Sequence, residues 1–176
     1  MGLEFRRVTG EAAAQVLDER HVELYLATRA EPPYLSGPLY QPDRYLERTG
    51  RQVKRPGFTA VSAEDGPILV GFAFGVPLAS WWGGHATPAP PEVTEASSLF
   101  AVIELNVCQD HRNQGIGRKL LDELLTGQEA PYATVLANPA APAHDMYLRW
   151  GWRKVGTVQA TPDAMVSDAL IRKLPG

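Results

Sequence analysis

The chain has 176 residues, enough for one domain with a substantial core, and 17 Lys and Arg against 20 Asp and Glu leave a net charge of −3. A weakly acidic chain with no basic block argues against nucleic acid as a main partner. No stretch is long or apolar enough to span a bilayer or to form a signal-peptide core, so no membrane partner is expected, and the lone Cys108 permits no intrachain disulfide and suits a cytoplasmic setting.

In chain order, Leu3–Val8 alternates apolar and polar residues and predicts a strand, with Thr9 placed to cap the helix after it. Ala12 to Ala27 predicts one long helix, carrying Val16, Leu17, Val22, Leu24, Tyr25 and Leu26, with a break near His21. The prolines and glycine of Glu31 to Tyr40 forbid regular helix. A second helix is expected from Asp43 to Lys54, stopped by Pro56-Gly57. Phe58–Ser62 and Ile68–Val76 predict strands joined by a turn over Ala63–Pro67, where Asp65-Gly66 is a hairpin signal, and the second strand is apolar enough to be central. Ala79–Ser98, with Trp81, Trp82 and three prolines, is long for a connection, and such segments are usually functional or mobile.

The richest stretch follows. Leu99 to Val107 is an apolar strand interrupted by Glu104; a turn containing Gly115 and Gly117 comes next; then Ile116, Leu120, Leu121, Leu124 and Leu125 mark one face of an amphipathic helix. The first turn of a helix has unpaired N–H groups and a positive dipole end, so a Gly-rich turn feeding it suits a phosphate or diphosphate, with Arg112, Arg118 and Lys119 adding charge. A dinucleotide fingerprint would need glycine where Leu120 stands, and a triphosphate loop would need a hydroxyl residue after Lys119. Beyond this helix, Tyr132–Ala137 is a strand, Pro142–Trp150 a helix, Trp152–Val158 a strand and Asp168–Leu174 the closing strand. No repeat or linker divides residues 1–176, which read as a single mixed α/β domain with a central, mostly antiparallel sheet flanked by about four helices.

Arg112-x-x-Gly115-x-Gly117, after a strand ending Leu105-x-Val107, resembles the acetyl-CoA loop of the GCN5-related N-acetyltransferase (GNAT) superfamily. Ala143-x-x-Met146-Tyr147 followed by Gly151-Trp152 is similar to that family's second signature, and the two stand in the family's order over residues 99–156. The resemblance implies a single N-acetyltransferase domain whose sheet has two neighbouring strands splayed apart, here 99–107 and 132–137. It implies acetyl-CoA as cosubstrate, with the diphosphate on Arg112, Asn113, Gln114, Gly115, Ile116, Gly117 and Arg118. Leu105, Asn106 and Val107 would receive the pantetheine arm. Asn138 would bond the pantetheine amides, or else only shape the turn before Pro139.

Acetyl transfer to an amine needs a neutral nucleophile, and neutralising an alkylamine at pH 7 costs about 4.6 kcal/mol. It also needs donors for the thioester oxygen and a proton for the leaving thiolate. Tyr147 is at the family position that often supplies that proton, and the same residue would touch the coenzyme; packing beside Ala143, Met146 and Trp150 is the competing explanation. Glu104 is the candidate base, directly or through an ordered water. Many members place the base three residues earlier, where this chain has Ala101, and strict alternation puts 101 and 104 on opposite faces unless a bulge intervenes. A salt bridge to a neighbouring strand or an exposed edge position would also account for Glu104; Glu95 and His85 are weaker candidates. Cys108 lacks a base and orienter and is expected to be small and buried, and the histidines at 21, 85, 111 and 144 have no metal-ligand spacing, so no metal is expected.

Tyr34, Tyr40, Trp81 and Trp82 are candidates for holding a cationic amine by cation–π contact, with core packing or a homodimer interface as the alternatives for the tryptophans. The expected activity is acetyl transfer from acetyl-CoA to a small-molecule primary amine by direct attack in a ternary complex. A protein or peptide N-acetyltransferase, or a non-catalytic acyl-CoA-binding module, are the alternatives.

Overall fold

The computed structural model describes residues 2–175. Its elements, in chain order, are β1 (Leu3–Thr9), a 3₁₀ turn (Gly10–Leu17), α1 (Glu19–Arg29), a 3₁₀ turn (Pro38–Tyr40), α2 (Pro42–Gln52), β2 (Thr59–Asp65), β3 (Ile68–Leu78), β4 (His85–Ala86) and α3 (Pro91–Thr94). Then come β5 (Leu99–Val107), a 3₁₀ turn (Gln109–His111), α4 (Ile116–Leu125), β6 (Tyr132–Ala137), α5 (Pro142–Arg149), β7 (Arg153–Gln159) and β8 (Ser167–Lys173). The fold is mixed α/β; β1–β2, β2–β3, β6–β8, β8–β7 and β7–β4 pair antiparallel, and β5 pairs with β6 in parallel. The chain forms two compact units: residues up to Val76 with Ile103–Thr126, and Pro77–Val102 with the residues from Gly127 on.

In the first unit β1 pairs with β2 from Leu3 opposite Asp65 to Thr9 opposite Thr59. The β2–β3 hairpin closes on Gly66-Pro67, with Asp65 opposite Ile68 and Gly66 at φ +59°. The turn is shorter than the expected Ala63–Pro67 because β2 runs on through a bulge between Ala63 and Glu64. The long helix expected over 12–27 is a 3₁₀ turn followed by α1, and the break is at Asp18 rather than His21. Asp18 has extended backbone, and its carboxylate accepts from the His21 N–H at 3.0 Å, the local bond that lets Asp begin a helix rather than continue one. Thr9 makes no side-chain cap bond. Tyr25, Tyr45, Phe72, Phe74, Leu120, Leu121 and Leu124 are buried in this unit's core. Gly71 on β3 admits α4 closely: a Cβ there would meet Leu120 Cδ1 at 2.9 Å and the Asn106 carbonyl at 3.1 Å.

In the second unit the first four residues of β5 run parallel to β6, Leu99 opposite Tyr132 through Val102 opposite Val135. The ladder stops there, and the rest of β5 belongs to the first unit. β6 pairs with β8, β8 with β7, and β7 with the two-residue β4, all antiparallel. The segment 79–98 is a strap with structure of its own. β4 lies on β7, Thr87 N–H bonds the Thr157 carbonyl at 2.9 Å, and Thr87 Oγ1 accepts from the Thr157 N–H at 2.9 Å. The space a Cβ at Gly156 would need is filled by the Thr87 hydroxyl. Val93, Leu99 and Ile171 form a buried cluster with Leu78, Trp81 and Tyr132 against it. α5 starts at Pro142, whose missing N–H costs a helix nothing in its first turn, and ends before Gly151 at φ +89°.

Candidate active site

Along the second half of β5, Glu104 and Asn106 are buried while Ile103, Leu105 and Val107 are half-buried, so the two polar side chains share a face. The Glu104 carboxylate is 7% exposed and accepts at Oε1 from Arg29 Nη2 at 2.6 Å and from Asn106 Nδ2 at 3.1 Å. Arg29 Nη1 donates to Asn106 Oδ1 at 2.8 Å and to Thr28 Oγ1 at 2.9 Å. Its guanidinium lies over the rings of Tyr25 (4.7 Å) and Tyr34 (4.8 Å), and Arg48 Nη2 donates to the Tyr25 hydroxyl at 3.0 Å. Burial pulls the Arg29 pKa down, but Glu104 and the surrounding tyrosines more than offset it, so the guanidinium keeps its charge. Burial also raises the Tyr34 and Tyr25 phenols. Glu104 therefore sits in a salt bridge with a helix residue, not the neighbouring-strand partner that its place in the sequence suggested.

The turn after β5 is anchored from both ends. Cys108 N–H donates to the Val70 carbonyl at 2.8 Å, and Arg112 Nε donates to the Val107 carbonyl at 3.1 Å. Arg112 Nη1 and Nη2 bind both carboxylate oxygens of Glu31, at 2.5 and 2.7 Å. Asn113, at φ +61°, and Gly115, at φ +79°, turn the backbone into α4. No side chain caps α4, and its first internal bond runs from Lys119 N–H to the Gly115 carbonyl, so the donors of the first turn are left for a ligand. A Cβ on Gly115 would meet nothing within 4 Å. Asn113, Gln114 and Arg118 are exposed, Gly117 is half-buried and Ile116 is buried under the helix. These features fit a diphosphate bound by main-chain hydrogens. Lys119 is instead placed over the Phe5 ring, 4.4 Å from its centre. Cys108, expected buried, is half-buried.

In the second unit Tyr147 is buried on α5, edge-on to Trp150 (6.0 Å) and Trp152 (5.4 Å). One turn earlier His144 Nε2 lies 2.8 Å from Asp168 Oδ2, and Lys154 Nζ is 3.1 Å from Asp168 Oδ1. Burial raises the Asp168 pKa, but the His144 and Lys154 hydrogen bonds outweigh it and hold it below the usual range. Asn138 shapes its own turn: Oδ1 accepts from the Ala140 N–H at 2.9 Å, its carbonyl accepts from Ala141 at 2.9 Å, and Nδ2 points to Met165 Sδ at 3.2 Å. Trp81 Nε1 donates to the Thr87 carbonyl at 3.1 Å within the strap, and Trp82 Nε1 to Thr134 Oγ1 on β6 at 3.0 Å, which ties the strap down. Glu95 and His85 are exposed on that strap, and Ala101 is fully buried.

The structure thus gathers Glu104, Leu105, Asn106, Val107 and the 112–118 turn in one unit with Tyr34 and Tyr40, whose rings meet edge-on at 5.2 Å. Tyr147, Asn138, Trp81 and Trp82 belong to the other. One face of the Tyr34 ring is already covered by Arg29. Sequence reasoning missed Arg29 and Glu31. A lone carboxylate in an apolar strand does call for a counter-charge, but its partner is 75 positions away and no spacing rule points to it. Among the described residues no group of His, Cys, Asp and Glu is arranged to hold a metal ion, and no helix is long and apolar enough to cross a membrane.

A family model described as an acetyltransferase (GNAT) domain matches residues 56–154. No curated protein matches the chain. Among solved structures, the chain is similar to an aminoglycoside acetyltransferase from an uncultured soil metagenomic sample, with 23% identity and TM-score 0.60 over 93% of this chain and 100% of that one. It is also similar to the PaiA N-acetyltransferase of Thermoplasma acidophilum in complex with coenzyme A, with 13% identity and TM-score 0.59 over 99% and 100% of the two chains. Ard1 from Thermoplasma volcanium matches at 13% identity and TM-score 0.64 over the whole of both. At these identities the likeness is one of fold.

Proposed function

Because the chain belongs to the acetyltransferase (GNAT) domain family, we propose that it moves an acetyl group from acetyl-CoA to the primary amine of a small molecule, by direct attack of the amine on the thioester in a ternary complex. The observation that carries this is the start of α4, where an uncapped helix follows Gly115 in a left-handed conformation with open space beside it. Main-chain N–H groups of Asn113 to Arg118 hold the diphosphate, with Gln114 and Arg118 bordering it. The main chain of Leu105, Asn106 and Val107 receives the pantetheine arm and polarises the thioester carbonyl, and Asn138 borders the pantetheine amides.

Glu104 takes the amine's proton through an ordered water. Its Oε1 is engaged by Arg29 and Asn106, so Oε2 is the oxygen that faces this task. Tyr147 gives its phenolic proton to the departing thiolate. Tyr34 and Tyr40, and separately Trp81 and Trp82, are the aromatic candidates for holding the acceptor's ammonium by cation–π contact. Holding both substrates in register contributes roughly 7–11 kcal/mol. All 176 residues act as one catalytic domain, working in the cytoplasm, where Cys108 stays reduced.

The test is thiol release from acetyl-CoA across a panel of small amines and peptides with free N-termini. A small amine is expected to be the best acceptor. Tyr147→Phe is expected to lower kcat by roughly 10²–10⁴-fold, far more than it lowers coenzyme affinity. Turnover confined to the peptides would overturn the acceptor class, and no thiol release with any amine would reduce the protein to an acyl-CoA-binding module.

A further inference from the structure

We propose that Glu31 is an internal substitute for the coenzyme's diphosphate: it holds Arg112 until acetyl-CoA takes that arginine over, and so sets coenzyme affinity and releases the 31–37 segment. This rests on the assignment of the diphosphate to the 112–118 turn.

Arg112 opens the turn motif, yet both terminal nitrogens of its guanidinium are engaged by the two oxygens of Glu31. A carboxylate and a phosphate present the same pair of oxygens to the guanidinium fork, so they compete for one site. The competitor is charged, because the Arg112 hydrogen bonds hold the Glu31 carboxyl below its usual range. Exchange is open to solvent: the two side chains are 37% and 29% exposed. Arg112 Nε is tied separately to the Val107 carbonyl, so the fork can change partners while its stem stays at the end of β5.

The consequence reaches the acceptor side through the backbone of Glu31. Its carbonyl accepts from the N–H groups of Tyr34 (3.0 Å) and Leu35 (3.1 Å). Leu35 and Ser36 follow at φ +50° and +53°, two successive non-glycine residues in the left-handed region. The Leu35 side chain is 66% exposed, so packing does not compensate for that strain. What holds the pair is Glu31 together with Ser36 N–H on the Arg29 carbonyl (2.8 Å) and Gln41 Nε2 on the Ser36 carbonyl (2.8 Å). Once the Glu31 side chain loses Arg112, the strained turn loses its anchor. Tyr34, which covers the arginine that holds Glu104, is part of that turn. Acetyl-CoA therefore binds first, and the acceptor segment loosens in response.

The experiment is calorimetric titration of coenzyme A into the full chain and three variants, with melting curves confirming that each is folded. Glu31→Gln keeps the side chain's size and removes its charge; it is expected to bind coenzyme A roughly threefold to tenfold more tightly than wild type. Arg112→Ala is expected to bind more weakly, and the double variant to behave like Arg112→Ala, because the gain needs the freed arginine. In wild type, hydrogen exchange at the Leu35 and Ser36 amides is expected to quicken on adding coenzyme A. A brace that only holds the turn in shape predicts the opposite sign. Weaker or unchanged binding by Glu31→Gln, the same gain without Arg112, or unaltered exchange at 35 and 36 would overturn the proposal while leaving the turn's assignment standing. A wild-type protein that does not bind coenzyme A would remove that assignment and the exchange with it.

Discussion

Removing Arg29 would strand the Glu104 carboxylate, which is 7% exposed and bonded through Oε1 to that guanidinium. Breaking a buried ion pair from one side costs about 3–5 kcal/mol, because the remaining charge loses its compensation. Arg29→Ala is expected to lose that much in urea unfolding, and Arg29→Ala with Glu104→Gln to recover part of it; equal losses in both would mean that the stranded carboxylate is not the source of the cost. A second residue-scale outcome concerns pH. Burial holds the His21 pKa below 6.5 against the pull of Asp18, so the folded chain lacks a proton that the unfolded chain binds as pH falls. Stability is therefore expected to drop as pH falls through the unfolded value of 6.5. Asp18, Glu31 and Asp168 are depressed, so their contributions persist until the solution is more acidic than ordinary carboxylate pKa values. Denaturation at pH 7 and pH 5.5 checks this, and a His21→Gln variant should lose the difference. Glu104 was legible as a carboxylate out of place among apolar neighbours. Arg29 and Glu31 were not, because a side chain's partner across 75 or 81 positions is decided by the fold.

Elements whose pattern is local were the legible ones. β5 and β6 have the boundaries that their apolar runs imply, and α4 buries Ile116, Leu120, Leu121, Leu124 and Leu125, the face its spacing marks. Leu120 is fully buried against Gly71, so Leu120→Ala is expected to cost about 2–5 kcal/mol, read by denaturant melts. Gly115 separates binding from folding. Its φ of +79° makes any L side chain costly there by about 1–2 kcal/mol, but a Cβ has nothing to strike. Gly115→Val should therefore fold with that modest loss and bind coenzyme A at least about tenfold more weakly. A folded Gly115→Val protein with wild-type affinity would take the diphosphate off this turn. The strap over 79–98 was hidden because its order comes from pairing with β7 and from Thr87 seated over Gly156, not from any periodicity of its own. The break at Asp18 was displaced from His21 for a related reason: apolar spacing continues through it, and only the cap bond decides where the helix begins.

At the scale of the whole molecule, the fold and the family were readable from two motifs in order, while the acceptor was not, since the residues that would meet it are held by partners elsewhere in the chain. Tyr34 faces Arg29, and Trp81 and Trp82 are bonded to Thr87 and Thr134. A ligand that binds only the native state raises stability by RT ln(1 + [L]/Kd), about 2.7 kcal/mol at a hundredfold excess over Kd, so coenzyme A should raise the melting temperature in proportion to its logarithmic concentration. The most direct measurement is an amide-resolved NMR titration with coenzyme A. Saturable shifts concentrated on the amides of Asn113 through Arg118 are predicted; shifts elsewhere with those six resonances unmoved would contradict the account.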